Sequence, residues 1–339
     1  MAPNDTVSVV VANHDHGRFV VEAVTSALEQ THPPQEVIVV DDASADDSVR
    51  RLRRRFGRSI TLVPLPTNVG QVRAVQVGVA AASGSIVCFL DADDRWHPGK
   101  IERVLDAFVR RPAITQLSHG LRSIDAEGRP RQTRPQRHGG RARRRLPLNE
   151  GDVRSVLFRW NQYGCAVTSG LSYPRWVLDA ALPAPERFAT RGCYVDAWST
   201  VAAAFLGPVG ALHEDLMDYR VHGANAVGGS TDFERAVAHW RLTGEMIDHW
   251  ARRCGDHRRA DPERRDNRLL VARYLAGEPI PLGPRLRALA ETPFELRAMS
   301  AQPLDGAVRT IERAVMVASR RRGAELRRVG LSRWLRGAR

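Results

Sequence analysis

One lysine, Lys100, stands against fifty arginines in this 339-residue chain. The net charge of +13 is therefore carried almost wholly by guanidinium, a bias consistent with a genome-wide coding preference. Cysteine is equally sparse. Cys88, Cys165, Cys193 and Cys254 are widely spaced, which excludes the paired spacing of a cysteine metal site and fits a reducing, cytoplasmic setting. Cys88 lies inside an apolar run and reads as a small core residue. No hydrophobic run approaches the length of a membrane-spanning helix. The first residues, Met1-Ala2-Pro3-Asn4-Asp5, lack the basic-then-apolar order of a signal peptide. Aromatic residues make up 6% of the chain and do not interleave with the arginine runs, so no stacking platform for nucleic acid is evident. No internal repeat is evident either.

What is present is enough apolar material for a real core, 43% of residues. The length allows one large domain with an appendage, or two domains. Over the first hundred residues, strand and helix signals alternate. Val7 to Ala12 is a continuous apolar strand, and Phe19 to Gln30 has helical spacing. Pro33-Pro34 precedes a strand over Glu36 to Val40. Ser44 is placed to cap a polar helix reaching Phe56. A short strand over 59–65 follows, then a helix over 71–82 and a strand ending at Leu90. Such an order predicts an α/β fold, a mostly parallel sheet with helices on both faces. Further on, the pattern predicts helices near 99–110, 153–160 and 194–205, and strands near 116–124 and 209–219. From about residue 231 the spacing is helical and the charge high. The expected division is therefore a domain over 1–230 and an arginine-rich α-helical extension over 231–339.

Cys88-Phe89-Leu90-Asp91-Ala92-Asp93-Asp94-Arg95-Trp96 is the most informative stretch. An apolar run stops abruptly in three carboxylates within four positions. Open α/β sheets bind ligands just past the carboxyl ends of their strands. Clustered carboxylates repel one another unless a positive charge lies between them. A hard divalent cation, Mg²⁺ or Mn²⁺, fits that need, with water and phosphate oxygens as its other ligands. The plainer alternative is an acidic turn with Asp94 as a helix cap.

Four segments read together resemble the family 2 glycosyltransferases of the GT-A fold. They are Val7-Ser8-Val9-Val10-Val11, Val37-Ile38-Val39-Val40-Asp41-Asp42-Ala43-Ser44, Asn68-Val69-Gly70 with Gly78, and Phe89-Leu90-Asp91-Ala92-Asp93-Asp94. The resemblance covers about residues 5–230. It implies a nucleoside diphosphate sugar donor, a Mn²⁺ or Mg²⁺ ion at the diphosphate, and an acceptor hydroxyl on a glycan, a lipid-linked sugar or a small molecule. On the donor side it implies Ala12, His14, Asp42, Arg73, Asp91 and Ala92. Asp42 matches the carboxylate that accepts the pyrimidine N–H, and its alternative is a turn cap. His14 takes a position that is aromatic in relatives. Relatives often carry Ala-Arg-Asn before the helix glycine where this chain has Ala74-Val75-Gln76, so the phosphate-binding arginine falls to Arg73 or is missing.

Tyr194-Val195-Asp196-Ala197-Trp198 and Tyr219-Arg220-Val221-His222-Gly223-Ala224-Asn225 resemble a rhamnosyltransferase-like branch of that family. By that resemblance Asp196 is the catalytic base, with Glu186 and Asp215 as rivals, and the metal falls to Asp93 and His222. His222 alternatively contacts the diphosphate or makes a structural hydrogen bond. Trp198 is either core or a wall beside the acceptor. An inverting, single-displacement transfer follows. A sugar-nucleotide pyrophosphorylase on a similar sheet, a basic nucleic-acid binder and a non-catalytic relative are the alternatives. The first needs a glycine-rich loop after the first strand, where this chain has a single glycine, Gly17. No nucleic acid partner is expected. Basic runs at 129–145 and 320–339 remain. In the second, Leu331, Trp334 and Leu335 share a helical face ringed by arginine, the pattern of a segment lying on the inner face of the plasma membrane. Packing onto the catalytic domain is the other reading of that helix.

Overall fold

The computed structural model describes residues 6–131, 148–160, 163–190, 193–223 and 233–258. An eight-stranded sheet runs in the order β3-β2-β1-β4-β7-β6-β8-β5. Its strands are β1 (Val7–Asn13), β2 (Glu36–Asp41), β3 (Thr61–Pro64), β4 (Ile86–Asp91), β5 (Arg95–Trp96), β6 (Gln116–Ile124), β7 (Leu171–Pro174) and β8 (Val209–Arg220). β1 pairs in parallel with β2 and β4, β2 with β3, and β6 with β8. β7 and β5 run antiparallel to their neighbours.

The valine-rich strands are apolar on both faces because both faces are covered. Val10, Ile38, Val40, Val87 and Phe89 point into one core, and Val9, Val11, Val37, Val39 and Leu90 into the other. Burial of each such side chain is worth on the order of 1.5–3 kcal/mol. The first core is closed by helices α3 (Gln71–Ala81), α5 (Arg154–Trp160), α6 (Arg175–Ala181) and α7 (Val195–Leu206). The second is closed by α1 (Val20–Leu28), α2 (Ser48–Phe56) and α4 (Lys100–Arg110). Helix α8 (Phe233–Arg253) lies beyond residue 230, yet Met246, Ile247, Trp250 and Ala251 are buried in the same core as α7. The chain divides into two compact units, 1–223 with 239–265, and 224–238 with 266–339. Most of the second lies outside the described residues, as do 132–147 of the basic loop and all of 320–339.

One capping expectation, Ser44, and one alternative, Asp94, are corrected. Ser44 caps no helix: its hydroxyl donates to Asp41 Oδ2 at 2.7 Å and accepts from Asn13 Nδ2 and the Asp15 amide. The chain turns first at Ala43, whose φ is +55°, and α2 begins only at Ser48, whose amide donates to Asp46 Oδ1. Asp94 does not cap α4, whose N-cap is Gly99. No described helix is long and apolar enough to cross a membrane.

Candidate active site

The ends of β1, β2 and β4 lie side by side in register. Ala12 stands opposite Asp91 on one side and Val40 on the other, and Asn13 opposite Asp41. Asn13 Nδ2 donates to Asp41 Oδ2 at 2.6 Å, tying the two strand ends together. Asp42, the next residue, is buried. Its two oxygens accept the Val69 and Gly70 amides at 2.7 and 2.9 Å, which fastens the loop entering α3. Gly70 has φ +87°, ψ 158°, a conformation essentially confined to glycine. The same loop carries Asn68, whose side chain lies 2.9 Å from His14 Nε2. His14 and Asp42 thus both meet the loop that enters α3. The Arg73 guanidinium pairs with Glu186 at 2.5 Å, which engages one of the rival acids.

The carboxylate motif is a tight turn, with the Asp94 amide donating to the Asp91 carbonyl. Its three acids have different surroundings. Asp94 is fully buried, accepts Ser169 Oγ at 2.6 Å and the Arg220 amide at 2.9 Å, and so staples the motif to β8. Burial, then Asp93 and Asp91, pushes it well above the usual carboxylate range. Asp91 accepts Gln71 Nε2 at 2.8 Å; burial, then the charges of Asp93 and Asp196, pushes it up to about 8. The charge of Asp93 thus helps to raise both Asp91 and Asp94, a crowding of carboxylates that suits a cation. Ala92 is wholly buried beneath the turn.

Asp93 meets His222, whose Nε2 lies 3.0 Å from Asp93 Oδ2. A residue that sequence reasoning missed joins them: ligating atoms of His16, Asp93 and His222 all lie within 4.8 Å of one another. His16 comes from the β1–α1 loop, Asp93 from the end of β4 and His222 from just past β8. Phe19 packs beside both imidazoles, with ring centroids 4.9 Å from His222 and 6.5 Å from His16. Burial holds His16 below the ordinary imidazole value. Two softer imidazole nitrogen donors and one carboxylate suit a divalent transition ion.

Arg220 supports this cluster from beneath. Its buried guanidinium donates to the Asp93 carbonyl at 2.8 Å and pairs with Glu22 at 2.6 Å. A buried arginine needs such partners to offset its lost hydration.

Asp196 sits in the first turn of α7, close enough for its charge to raise Asp91. The connection is Gln71, which accepts the Val195 amide at 3.3 Å and donates to Asp91. Gln71 opens α3 directly after Gly70; that position was the only signal for it in the sequence. Trp198 is core: it is wholly buried, donates to the Ala181 carbonyl at 2.9 Å and stacks on Phe188.

A family profile described as "Glycosyl transferase family 2" matches residues 8–163. An uncharacterized glycosyltransferase of Nostoc sp. is 32% identical over 270 residues, covering 76% of this chain and 79% of that protein. The chain belongs to the family 2 glycosyltransferases. A putative teichuronic acid biosynthesis glycosyltransferase of Bacillus subtilis is 34% identical over 126 residues, covering 37% of this chain and 50% of its own length. The amylovoran biosynthesis glycosyltransferase AmsB of Erwinia amylovora is 35% identical, covering 30% and 36% respectively. Among solved structures, Staphylococcus aureus TarS in complex with UDP-GlcNAc superposes with a TM-score of 0.55 at 15% identity, covering 86% of this chain and 77% of that one. At that identity the likeness establishes the GT-A type fold.

Proposed function

We propose that this glycosyltransferase moves a sugar from a nucleoside diphosphate donor to an acceptor hydroxyl, with inversion and with a divalent metal at Asp93 and His222. The observation that carries the reading is the convergence of Asp91, Asp93 and Asp196 at one strand end, beside two imidazoles. His14 and Asp42 flank the nucleoside base, Ala12, Asp91 and Ala92 border the ribose and diphosphate, and Arg73 turns from Glu186 toward the phosphates. Asp196 takes the acceptor's proton as the acceptor oxygen bonds to the anomeric carbon and the bond to the diphosphate breaks. A cation bound at Asp93 supplies positive charge to the departing diphosphate. TarS, with the same fold, is described in complex with UDP-GlcNAc, which supports a nucleotide-sugar donor. Relatives named for teichuronic acid and amylovoran biosynthesis support a glycan or lipid-linked acceptor, and the rhamnosyltransferase-like motifs a hexose or deoxyhexose as the sugar. The setting we infer is cytoplasmic, with peripheral membrane contact through 320–339.

The test is Asp93→Ala. We expect loss of transfer and loss of metal-dependent nucleoside diphosphate binding. Calorimetry showing unchanged metal-dependent affinity in the variant would sink the assignment.

A further inference from the structure

We propose that His16 is a third metal ligand, and that the set His16, Asp93, His222 makes the site select first-row transition dications over Mg²⁺. The proposal rests on the transferase reading for the purpose of the metal, but not for its chemistry.

The pair Asp93–His222 alone has an ordinary explanation, a histidine–carboxylate hydrogen bond at 3.0 Å. Such a bond needs two residues. His16 brings a second imidazole from a different loop to within 4.8 Å of both partners, and its ring stands nearly perpendicular to that of His222, 5.7 Å away centroid to centroid.

The loop that carries His16 is built to hold it still. The Asp15 amide donates to Ser44 Oγ at 2.9 Å, and Asp15 Oδ1 accepts the Ala45 amide at 2.7 Å. The Gly17 amide donates to Asp46 Oδ2 at 2.7 Å. The His16 carbonyl accepts the Phe19 and Val20 amides at 2.8 and 2.9 Å, anchoring the start of α1. His222 is held in turn by Asp93 and by the face of Phe19. Ligands fixed in advance by their surroundings are what a metal site requires.

The donor chemistry decides which metal. Mg²⁺ demands near-octahedral oxygen and sheds water reluctantly. Imidazole suits the first-row transition ions, with affinity rising from Mn²⁺ to Co²⁺. A site of one carboxylate and two imidazoles therefore ranks Co²⁺ above Mn²⁺ above Mg²⁺.

The experiment titrates the full-length protein with Mn²⁺, following the signal of the free ion by electron paramagnetic resonance, with Mg²⁺ and Co²⁺ as competitors. Electron spin-echo modulation then counts nitrogen couplings on bound Mn²⁺. We expect two imidazole couplings and Mn²⁺ affinity exceeding that for Mg²⁺ by on the order of tenfold or more. His16→Gln should lose one coupling and weaken Mn²⁺ binding by roughly 10–100-fold or more, with Mg²⁺ affinity unchanged. Equal affinities for the two ions, or bound Mn²⁺ without nitrogen couplings, overturns the proposal. The wild-type spectra decide it even where the variant folds poorly. Full transfer activity in Mg²⁺ alone overturns the selectivity and leaves the transferase reading standing. Selective Mn²⁺ binding with no effect on nucleoside diphosphate affinity does the reverse.

Discussion

At the residue scale, Lys100 shows why one lysine survives in a chain of arginines. It is wholly buried, donates to the Ser169 carbonyl at 2.9 Å and lies 3.4 Å from the centroid of the Trp96 ring. A guanidinium keeps its charge at any accessible pH, whereas an ammonium can give its proton up. Burial lowers Lys100 to about 7, against the smaller upward pull of Cys88 and Asp94. Because the folded value lies below the unfolded one of 10.5, the unfolded chain binds more protons across that window. Stability therefore rises with pH between about 7 and 10.5 from this group, and Lys100→Met should flatten that rise in thermal melts. Lysine labelled with ¹³C at Cε gives a single side-chain resonance, and its titration midpoint should fall near 7. A midpoint at the ordinary lysine value would show that the ammonium stays charged inside. The same hydrogen-bond array reaches the site, since Ser169 Oγ accepts the Asp91 amide and donates to Asp94. Asp196 makes a different prediction. Asp196→Asn should leave nucleotide-sugar binding nearly intact and cut turnover by on the order of 10²–10⁴-fold. Loss of donor affinity with turnover preserved would reassign it to the donor side. That Asp42, Asp91 and Asp93 stand at strand ends was legible in the sequence, because apolar strands run directly into them. His16 was not, because its partners lie far along the chain and only the fold brings them together.

At the scale of elements, α3 joins the sequence motif to the packing. Gly78 lies where α3 crosses the sheet, and a Cβ there would come within 2.4 Å of Val10 Cγ1 and 3.2 Å of Val40 Cγ2. Both valines are wholly buried, so neither can yield without disturbing the core. In an exposed helix, glycine to alanine stabilises by roughly 0.5–1 kcal/mol. Here Gly78→Ala should destabilise by about 1–3 kcal/mol through overpacking, read as a lower midpoint in denaturant unfolding. A stabilised variant would mean that α3 stands off the sheet by more than one methyl group. Six of the eight strands and most helices were legible to within a few residues, because runs such as Val37-Ile38-Val39-Val40 bury both faces and admit one reading, whereas β5, β7 and α6 were not expected. The capping expectation for Ser44 and the capping alternative for Asp94 failed for a shared reason. Each side chain is bound by a partner from a distant element, Asn13 and Ser169 respectively, and local sequence carries no trace of that.

At the scale of the whole molecule, a net charge of +13 meets a basic C-terminal run, Arg320 to Arg339, that lies outside the described residues. The full chain should co-sediment with anionic vesicles at low salt. Removal of 320–339, or salt high enough to screen the surface, should abolish it. Identical, salt-insensitive behaviour of both chains would assign the segment to packing instead. By itself the sequence determined the fold class, the order of strands and helices from β1 to β4, and the strand end where three carboxylates cluster. It could do so because burial on two faces and abrupt polarity changes are local properties of a chain. The tertiary structure alone decided which histidine joins His222 at Asp93, that Gln71 links Asp91 to the start of α7, and that Arg73 turns to Glu186. It also decided that Trp250 past residue 230 belongs to the same core as α7. Those are contacts between segments remote in sequence, set by the twist and register of the sheet, and no local pattern encodes them.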